Sequence, residues 1–307
     1  MSGFLMGLRL TGSETPAVIA AAASAVRAVM VPVQHSFPMV LDTCGTGGDG
    51  AGTLNLSTGA ALIAAAAGVP VAKHGNRAAT SRAGSADVLE AMGIPLDVPG
   101  TRQSEVFAEA GIAFLFAQAH HPAWRHVMPV RRELGVRTLF NGLGPLANPA
   151  SATHQLVGAF DDSIRPILAG ALLELGTQRA WVVRSEDGLD EMSPFAPTRI
   201  SEVSDGKLRE FSLSPEDFGL TRSAAGAIAG ADPAHNARVL ESILRGEDHP
   251  ARDAILLNAA AALVVALGIE PKAATERARE VLKSGAAIDA LDRLRNAAVP
   301  RRPAAAS

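Results

Sequence analysis

The sequence predicts an α/β fold with a mainly parallel central sheet covered by helices. Short apolar runs of β type recur at Met39 to Thr43, Val69 to Lys73, Ala113 to Phe116, Gln155 to Gly158 and Arg179 to Val183, with helix-forming stretches between them. Apolar strands interleaved with helices indicate a parallel sheet covered on both faces. A glycine-rich run follows the first of these strands directly. One hairpin signal, Asp205-Gly206 between Thr198 to Ser204 and Lys207 to Leu213, adds an antiparallel pair late in the chain.

The elements can be justified in order. Ser13-Glu14-Thr15-Pro16 starts a helix that runs through the alanines to about Met30, with proline tolerated in the first turn. After the first strand comes Asp42-Thr43-Cys44-Gly45-Thr46-Gly47-Gly48-Asp49-Gly50. Gly45, Gly47 and Gly48 carry no Cβ, so their backbone can take positive φ and bring N–H groups against an anion. The loop reads as an oxyanion cradle. Residues 57 to 67 are apolar all round and helix-forming, which marks a buried helix stopped by Gly68. Its polar start at Asn55, Ser57 and Thr58 is expected to turn unpaired N–H groups and the positive helix end toward the cradle. Lys73-His74-Gly75-Asn76-Arg77 closes the next strand. Further on, Asp187-Gly188 breaks the strand at Arg179 to Val183 into a turn. Residues from about 233 to 288 read as amphipathic or buried helices, and 300–307 as a disordered tail.

Charge limits the ligand. Between Asp42 and Asp87, Lys73, Arg77 and Arg82 stand against Asp42, Asp49 and Asp87, so this segment is neutral. A sugar carrying a monophosphate and a diphosphate would bring about five negative charges. Backbone dipoles alone do not offset that many, and a divalent cation is the natural supplement. Asp190 and Glu191, just past the Asp187-Gly188 turn, are candidate ligands, because adjacent residues share one site only from irregular backbone. One or two carboxylates with substrate oxygens and water are a usual magnesium set. An exposed acidic loop is the alternative reading of the same residues.

Composition narrows the class further. The chain has 307 residues, 48% of them hydrophobic and 19% charged, enough to bury a large core in one or two domains. A net charge of -3 argues against a nucleic-acid surface. The longest uncharged stretches, around 54 to 72 and 254 to 269, are rich in alanine and broken by polar residues or Gly and Pro, unlike a membrane span. The single cysteine, Cys44, excludes an internal disulfide and reads as a small buried residue. With no cationic region or cleavage site at its start, the chain is expected in the cytoplasm. His120, His121 and His126 prompt a zinc reading, but their spacing fits no usual zinc signature.

The spans Gly45-Thr46-Gly47-Gly48-Asp49, Asn55-Leu56-Ser57-Thr58, Lys73-His74-Gly75-Asn76-Arg77, Gly84-Ser85-Ala86-Asp87, Met128-Pro129-Val130-Arg131, Arg137 to Pro149 and Asp187-Gly188-Leu189-Asp190-Glu191 together resemble the anthranilate phosphoribosyltransferase family. The likeness is collinear and covers nearly the whole chain. It implies a small all-helical domain, residues 1–36 and 121–146, beside a larger α/β domain, residues 37–120 and 147–299, with the active site between them. It also implies the reaction, in which the amine of anthranilate displaces pyrophosphate from 5-phosphoribosyl 1-diphosphate in tryptophan biosynthesis. Carried over by position, the phosphoribosyl diphosphate contacts would be Gly45, Gly48, Asp49, Thr53, Asn55, Leu56, Ser57, Thr58, Lys73, His74, Gly75, Asn76, Arg77, Ala78, Ala79, Thr80, Ser81 and Ser85. Ser57, Asp190 and Glu191 would hold Mg2+, as two ions per site. Gly45, Asn76 and Arg131 would contact anthranilate. The resemblance further implies a homodimer, with no nucleic-acid or membrane partner.

Physical chemistry fits those implied roles. Negative charge grows on the leaving pyrophosphate, so Lys73, Asp190 and Glu191 are the expected catalytic set, acting through charge and a bound metal. The arylamine is neutral at pH 7, so orientation carries much of the work. His74 reads as a positioning group, with proton removal as the alternative. The fork of Arg131 suits a carboxylate, while Arg132, about 100° round a helix, faces elsewhere. The rings between His120 and His126 offer faces for an aromatic acid.

The chain departs from the family at several points. It begins inside what is usually the second helix, Arg184-Ser185 replaces a frequent histidine, Trp124 sits where relatives vary, and there is no tyrosine. Two other readings share the scaffold. A pyrimidine nucleoside phosphorylase would not need Asp190, Glu191 or Arg131, and a nucleic-acid-binding relative would show a basic surface.

Overall fold

Seven strands form one sheet in the order β3-β2-β1-β4-β5-β6-β7, in a computed structural model that describes residues 1–47, 50–78 and 82–299. The strands are β1 (Leu41–Gly45), β2 (Val71–Gly75), β3 (Ile112–Phe116), β4 (His154–Gly158), β5 (Arg179–Ser185), β6 (Thr198–Ser204) and β7 (Lys207–Leu213). The first five are parallel, and β6 and β7 are antiparallel additions at one edge. The mainly parallel sheet and the late hairpin are therefore as expected. Asp205 and Gly206 both take positive φ, 52° and 70°, the geometry of a tight hairpin turn.

β1 and β2 each run two residues beyond the expected end. The apolar run that marks β1 starts at Met39, yet the ladder begins at Leu41 and continues through the glycine, with Gly45 opposite Gly158 on β4. Backbone pairing does not need side chains, so the ladder reaches the glycines that open the loop.

Helices cover both faces. They run from α1 (Ser2–Leu10) and α2 (Pro16–Ala28) through α3 (Leu56–Ala66), α4 (Ser85–Ala91), α5 (Gly100–Ala110), α6 (Ala117–His120), α7 (Met128–Leu134) and α8 (Phe140–Leu146). Then follow α9 (Ile164–Glu174), α10 (Pro233–Leu244), α11 (Arg252–Leu267), α12 (Pro271–Lys283) and α13 (Ala286–Ala298). Thr15 caps α2 through a 3.4 Å hydrogen bond from the Val18 amide. α3 is buried almost all round and α11 nearly so, which explains why their sequences show no polar face. They share the core of one sheet face with α5, α12 and α13.

The other face is covered by α9, with α1, α2 and α8 packed on the same cluster as Val157, Val182 and Val203 of the sheet. A Cβ on Gly170 of α9 would lie 2.8 Å from Pro16, so α2 and α9 meet at close range. Among the described residues no single helix is long and apolar enough to cross a membrane. The expected tail, 300–307, lies outside the described residues.

Candidate active site

The carboxyl ends of β1, β2, β4 and β5 converge, which is where open parallel sheets bind ligands. Gly45 and Gly158 sit side by side there, and Asp190 lies over both. A Cβ on Gly158 would stand 1.7 Å from the Asp190 carbonyl oxygen, and one on Gly45 3.0 Å from its Oδ2. Gly158 is thus required by the close approach of the Asp190 backbone rather than by its own φ, whereas a Cβ on Gly45 would crowd only the Asp190 carboxylate.

The loop carrying Asp190 and Glu191 is anchored from both directions. Asn258 of α11 accepts from the Met192 amide and donates to the Met192 carbonyl, each at 3.0 Å, and the Ser185 amide donates to the Leu189 carbonyl. Leu189 and Met192 are buried on either side while the two carboxylates are half-buried. The acidic pair is therefore an inward-set feature, and the exposed-loop alternative describes only Glu186 and Asp187.

The start of α3 differs from expectation in one respect. Its first amides are not free: Leu56 donates to the Leu54 carbonyl, Thr58 to that of Asn55, and Ser57 to Oε1 of Glu191 at 3.0 Å. An electropositive helix end attracts an anion, and here the carboxylate of Glu191 supplies it. Asn55 occupies the capping position, but its side chain bonds the Ala83 carbonyl and Asn236 instead of the helix.

Lys73 and His74 point to opposite sides of β2, as strand alternation requires. Lys73, 3% exposed, reaches the Thr43 carbonyl and, at 3.3 Å, Oγ of Ser57, so its charge sits behind the helix start rather than in open solvent. Burial lowers its pKa, which the carboxylate of Asp42 opposes. Asp42 itself is fully buried, and burial pushes its pKa up to about 6 against hydrogen bonds from Asn148 Nδ2 and the His74 amide.

His74 is held by hydrogen bonds on both ring nitrogens. Its Nδ1–H donates to the Gly144 carbonyl at 3.2 Å, which leaves Nε2 to accept from Nε2–H of His121, also at 3.2 Å. Burial lowers the pKa of His74 to about 3 and that of His121 to about 4, so both rings are neutral at pH 7. This arrangement favours the positioning role of His74.

The rings continue outward. His121 packs on Trp124, with centroids 6.2 Å apart, Trp124 meets Phe140 edge-on, and the guanidinium of Arg131 lies 5.6 Å over the Trp124 ring. Arg131 is half-buried and Arg132 exposed, as the helical phase predicts. Burial lowers the Arg131 pKa, and among the described residues no carboxylate pairs with it. A path of contacts thus runs from Arg131 through Trp124 and His121 to His74, whose strand neighbour Lys73 reaches Ser57 on the other side of the sheet.

Other expected contacts fall in different settings. The guanidinium of Arg77 is bonded to Glu90 and Asp87 on the surface. Asp87 also accepts from the amides of Ala78 and Gly84; burial raises its pKa, but these hydrogen bonds and Arg77 outweigh it and hold the carboxyl below its usual range. Asn76 is exposed, and Ser85 stands against Gly75, where a Cβ would come 2.3 Å from its Oγ. Leu56 is buried, so only its backbone is available. Thr58 is buried, and among the described residues neither its Oγ1 nor the buried Oγ1 of Thr46 in the cradle has a partner. The Thr53 segment is strapped to Ala229 by a β-bridge. Gly48, Asp49, Ala79, Thr80 and Ser81 lie outside the described residues.

Sequence reasoning missed Asp42, Asn148, Gly158 and Asn258, and the hydrogen bond of His121 to His74. Gly158 carried a usable signal, a glycine closing an apolar strand. The others act through contacts between distant segments.

The donors offered to a metal are hard oxygens, the carboxylates of Asp190 and Glu191 and the hydroxyl of Ser57. This set fits magnesium completed by substrate oxygens and water. Among the described residues no group of three or more His, Cys, Asp and Glu gathers at one point.

Comparison with known proteins agrees with this geometry. Residues 38–288 match the family described as "Glycosyl transferase family, a/b domain". The anthranilate phosphoribosyltransferase of Symbiobacterium thermophilum is 49% identical over 296 residues, 96% of this chain and 86% of that protein. That of Rhodospirillum rubrum is 50% identical over 295 residues, 96% of this chain and 84% of that protein. Among solved structures, anthranilate phosphoribosyltransferase from Thermus thermophilus superposes with a TM-score of 0.91 at 46% identity, covering 97% of this chain and 89% of that one. The Saccharomyces cerevisiae protein in complex with PRPP and Mg gives 0.88 at 32% identity, covering 97% and 84%.

Proposed function

The chain belongs to the anthranilate phosphoribosyltransferase family, and from that premise we propose the work done by each part of its site. It transfers the 5-phosphoribosyl group from 5-phosphoribosyl 1-diphosphate to the amine of anthranilate and releases pyrophosphate, a step of tryptophan biosynthesis. The observation that carries the reading is the meeting of Gly45, Ser57, Asp190 and Glu191 at the carboxyl ends of the strands.

Asp190, Glu191 and Ser57 hold Mg2+, and two ions are proposed per site. The bound metal supplies Lewis-acid stabilisation of the leaving pyrophosphate. The glycine loop that opens at Gly45 serves the phosphates, and the Thr46 hydroxyl, without a partner among the described residues, is available to them. Lys73 adds a fixed positive charge behind Ser57. The bond from the anomeric carbon to the pyrophosphate oxygen breaks as the amine nitrogen bonds that carbon. The surplus proton passes from the nitrogen to the departing pyrophosphate after attack, and neutral His74 stays in its hydrogen bonds to Gly144 and His121. Arg131 takes the anthranilate carboxylate and thereby aims the amine. Gly45 and Asn76 complete the acceptor contacts, and the remaining expected residues from Gly48 to Ser85 serve the donor sugar.

The helical part, 1–36 with 121–146, acts as a lobe over the larger α/β part, and the protein works as a homodimer in the cytoplasm. Retention of Asp190, Glu191 and Arg131 favours transfer to anthranilate over nucleoside phosphorolysis. In the deciding assay, anthranilate fluorescence falls only when phosphoribosyl diphosphate and magnesium are both present. Consumption of a pyrimidine nucleoside with phosphate instead would reverse the assignment.

A further inference from the structure

Trp124 is the tryptophan of the helical lobe, and the reaction above leaves it without a task. It lies in the short 3-10 turn Pro122–His126, packed between His121 and Phe140, and the guanidinium of Arg131 rests over its face. The other tryptophan, Trp181, is satisfied in the usual way, its Nε1–H donating to Glu202 at 3.0 Å. The Nε1–H of Trp124 is buried and has no partner among the described residues.

As a packing residue, Trp124 is a poor choice. A phenylalanine would offer an apolar ring to His121 and Phe140 without burying an unpaired donor, which costs free energy. What indole has over phenyl is a larger and more electron-rich face, the best of the side chains for holding a cation. Arg131 needs such support. Its charge is partly desolvated, and among the described residues no carboxylate pairs with it and its one hydrogen-bond partner is the Met128 sulfur, 3.9 Å from Nη1. A carboxylate partner would fix the fork but would also occupy the donors that a substrate needs. A π face fixes the same plane and leaves the N–H edge open.

We propose that Trp124 is a specificity-determining positioning residue, which holds the guanidinium of Arg131 flat and empty-handed for the carboxylate of the aromatic acceptor. The inference rests on the acceptor role of Arg131 given above. It concerns the acceptor alone, because Trp124 reaches the donor side only through His121 and His74.

Steady-state kinetics with anthranilate and phosphoribosyl diphosphate, each varied in turn with magnesium present, test it alongside melting temperature. For Trp124→Leu, KM for anthranilate rises about tenfold, while KM for the donor stays within about twofold of the parent. For Trp124→Phe, which keeps a smaller π face and removes the orphan N–H, KM for anthranilate rises only about two- to threefold and the melting temperature is equal or higher. Equal KM for anthranilate in the parent and Trp124→Leu overturns the proposal, as does a parallel rise of both KM values with a lowered melting temperature, which marks a merely structural ring. A parent protein inert toward anthranilate removes the acceptor reading beneath it, an outcome distinct from either of these.

Discussion

Oε1 of Glu191 accepts the backbone N–H of Ser57 at 3.0 Å, so a carboxylate from the loop after β5 caps the helix that follows β1. The two residues are far apart in the chain, and both belong to the proposed magnesium set. With the proposed metal duty, Glu191 would link the two segments both as a helix cap and as a ligand.

Substitution separates these duties. Glu191→Gln keeps an oxygen for the Ser57 amide and loses the charge, so the metal-free melting temperature changes little while magnesium binding in the presence of phosphoribosyl diphosphate is lost. Glu191→Ala loses both and costs about 0.5–2 kcal/mol of stability, as caps do. Calorimetric titration of magnesium and thermal melting read the two effects; retained magnesium binding in both variants would remove Glu191 from the ligand set.

Gly158→Ala should be far more damaging than its size suggests. The added methyl would meet the Asp190 carbonyl oxygen at 1.7 Å, so the metal loop must shift. Activity should fall by about tenfold or more, with a loss of about 1–3 kcal/mol in stability. Gly7→Ala, where nothing lies within 4 Å of the new atom, serves as the control and should gain about 0.5–1 kcal/mol. Equal activity in Gly158→Ala and the parent would contradict the seating of Asp190.

Arg131→Ala should raise KM for anthranilate about 10- to 100-fold, the range of a lost charge-assisted pair, and leave KM for the donor nearly unchanged. Matching changes in both constants would count against a carboxylate partner.

Stability should depend on pH through the buried histidines. In the unfolded chain His74 and His121 titrate near pH 6.5, and in the fold at about 3 and about 4. Between these limits the unfolded state binds more protons, so their contribution is complete above pH 6.5 and is lost as pH falls toward 3. Asp42 opposes them: its pKa rises from 3.8 to about 6, and its contribution is lost as pH rises through that window. Two groups outweigh one, so the melting temperature should fall from pH 6.5 to 4. His74→Gln should flatten that slope; an unchanged slope would exclude His74 as its source.

Much of the site was legible because it is written in local backbone chemistry. The glycines after β1, the buried helix after them and the turn before Asp190 are each set by neighbouring residues. Strand ends were less legible. β1 and β2 were expected to stop at Thr43 and Lys73, but cross-strand hydrogen bonds carry them to Gly45 and Gly75. The helix start at Ser57 was read as open, whereas Glu191, 134 residues away, occupies its amide.

The sequence by itself determined the α/β class, the glycine loop after the first strand, the acidic pair and the family, since glycine, charge and apolar periodicity act over a few residues. Tertiary structure alone decided that Lys73 stands behind Ser57, that Gly158 seats Asp190, that His74 and His121 share a hydrogen bond, and that Trp124 carries Arg131. Those are contacts between segments that only packing brings together, and no local preference encodes them.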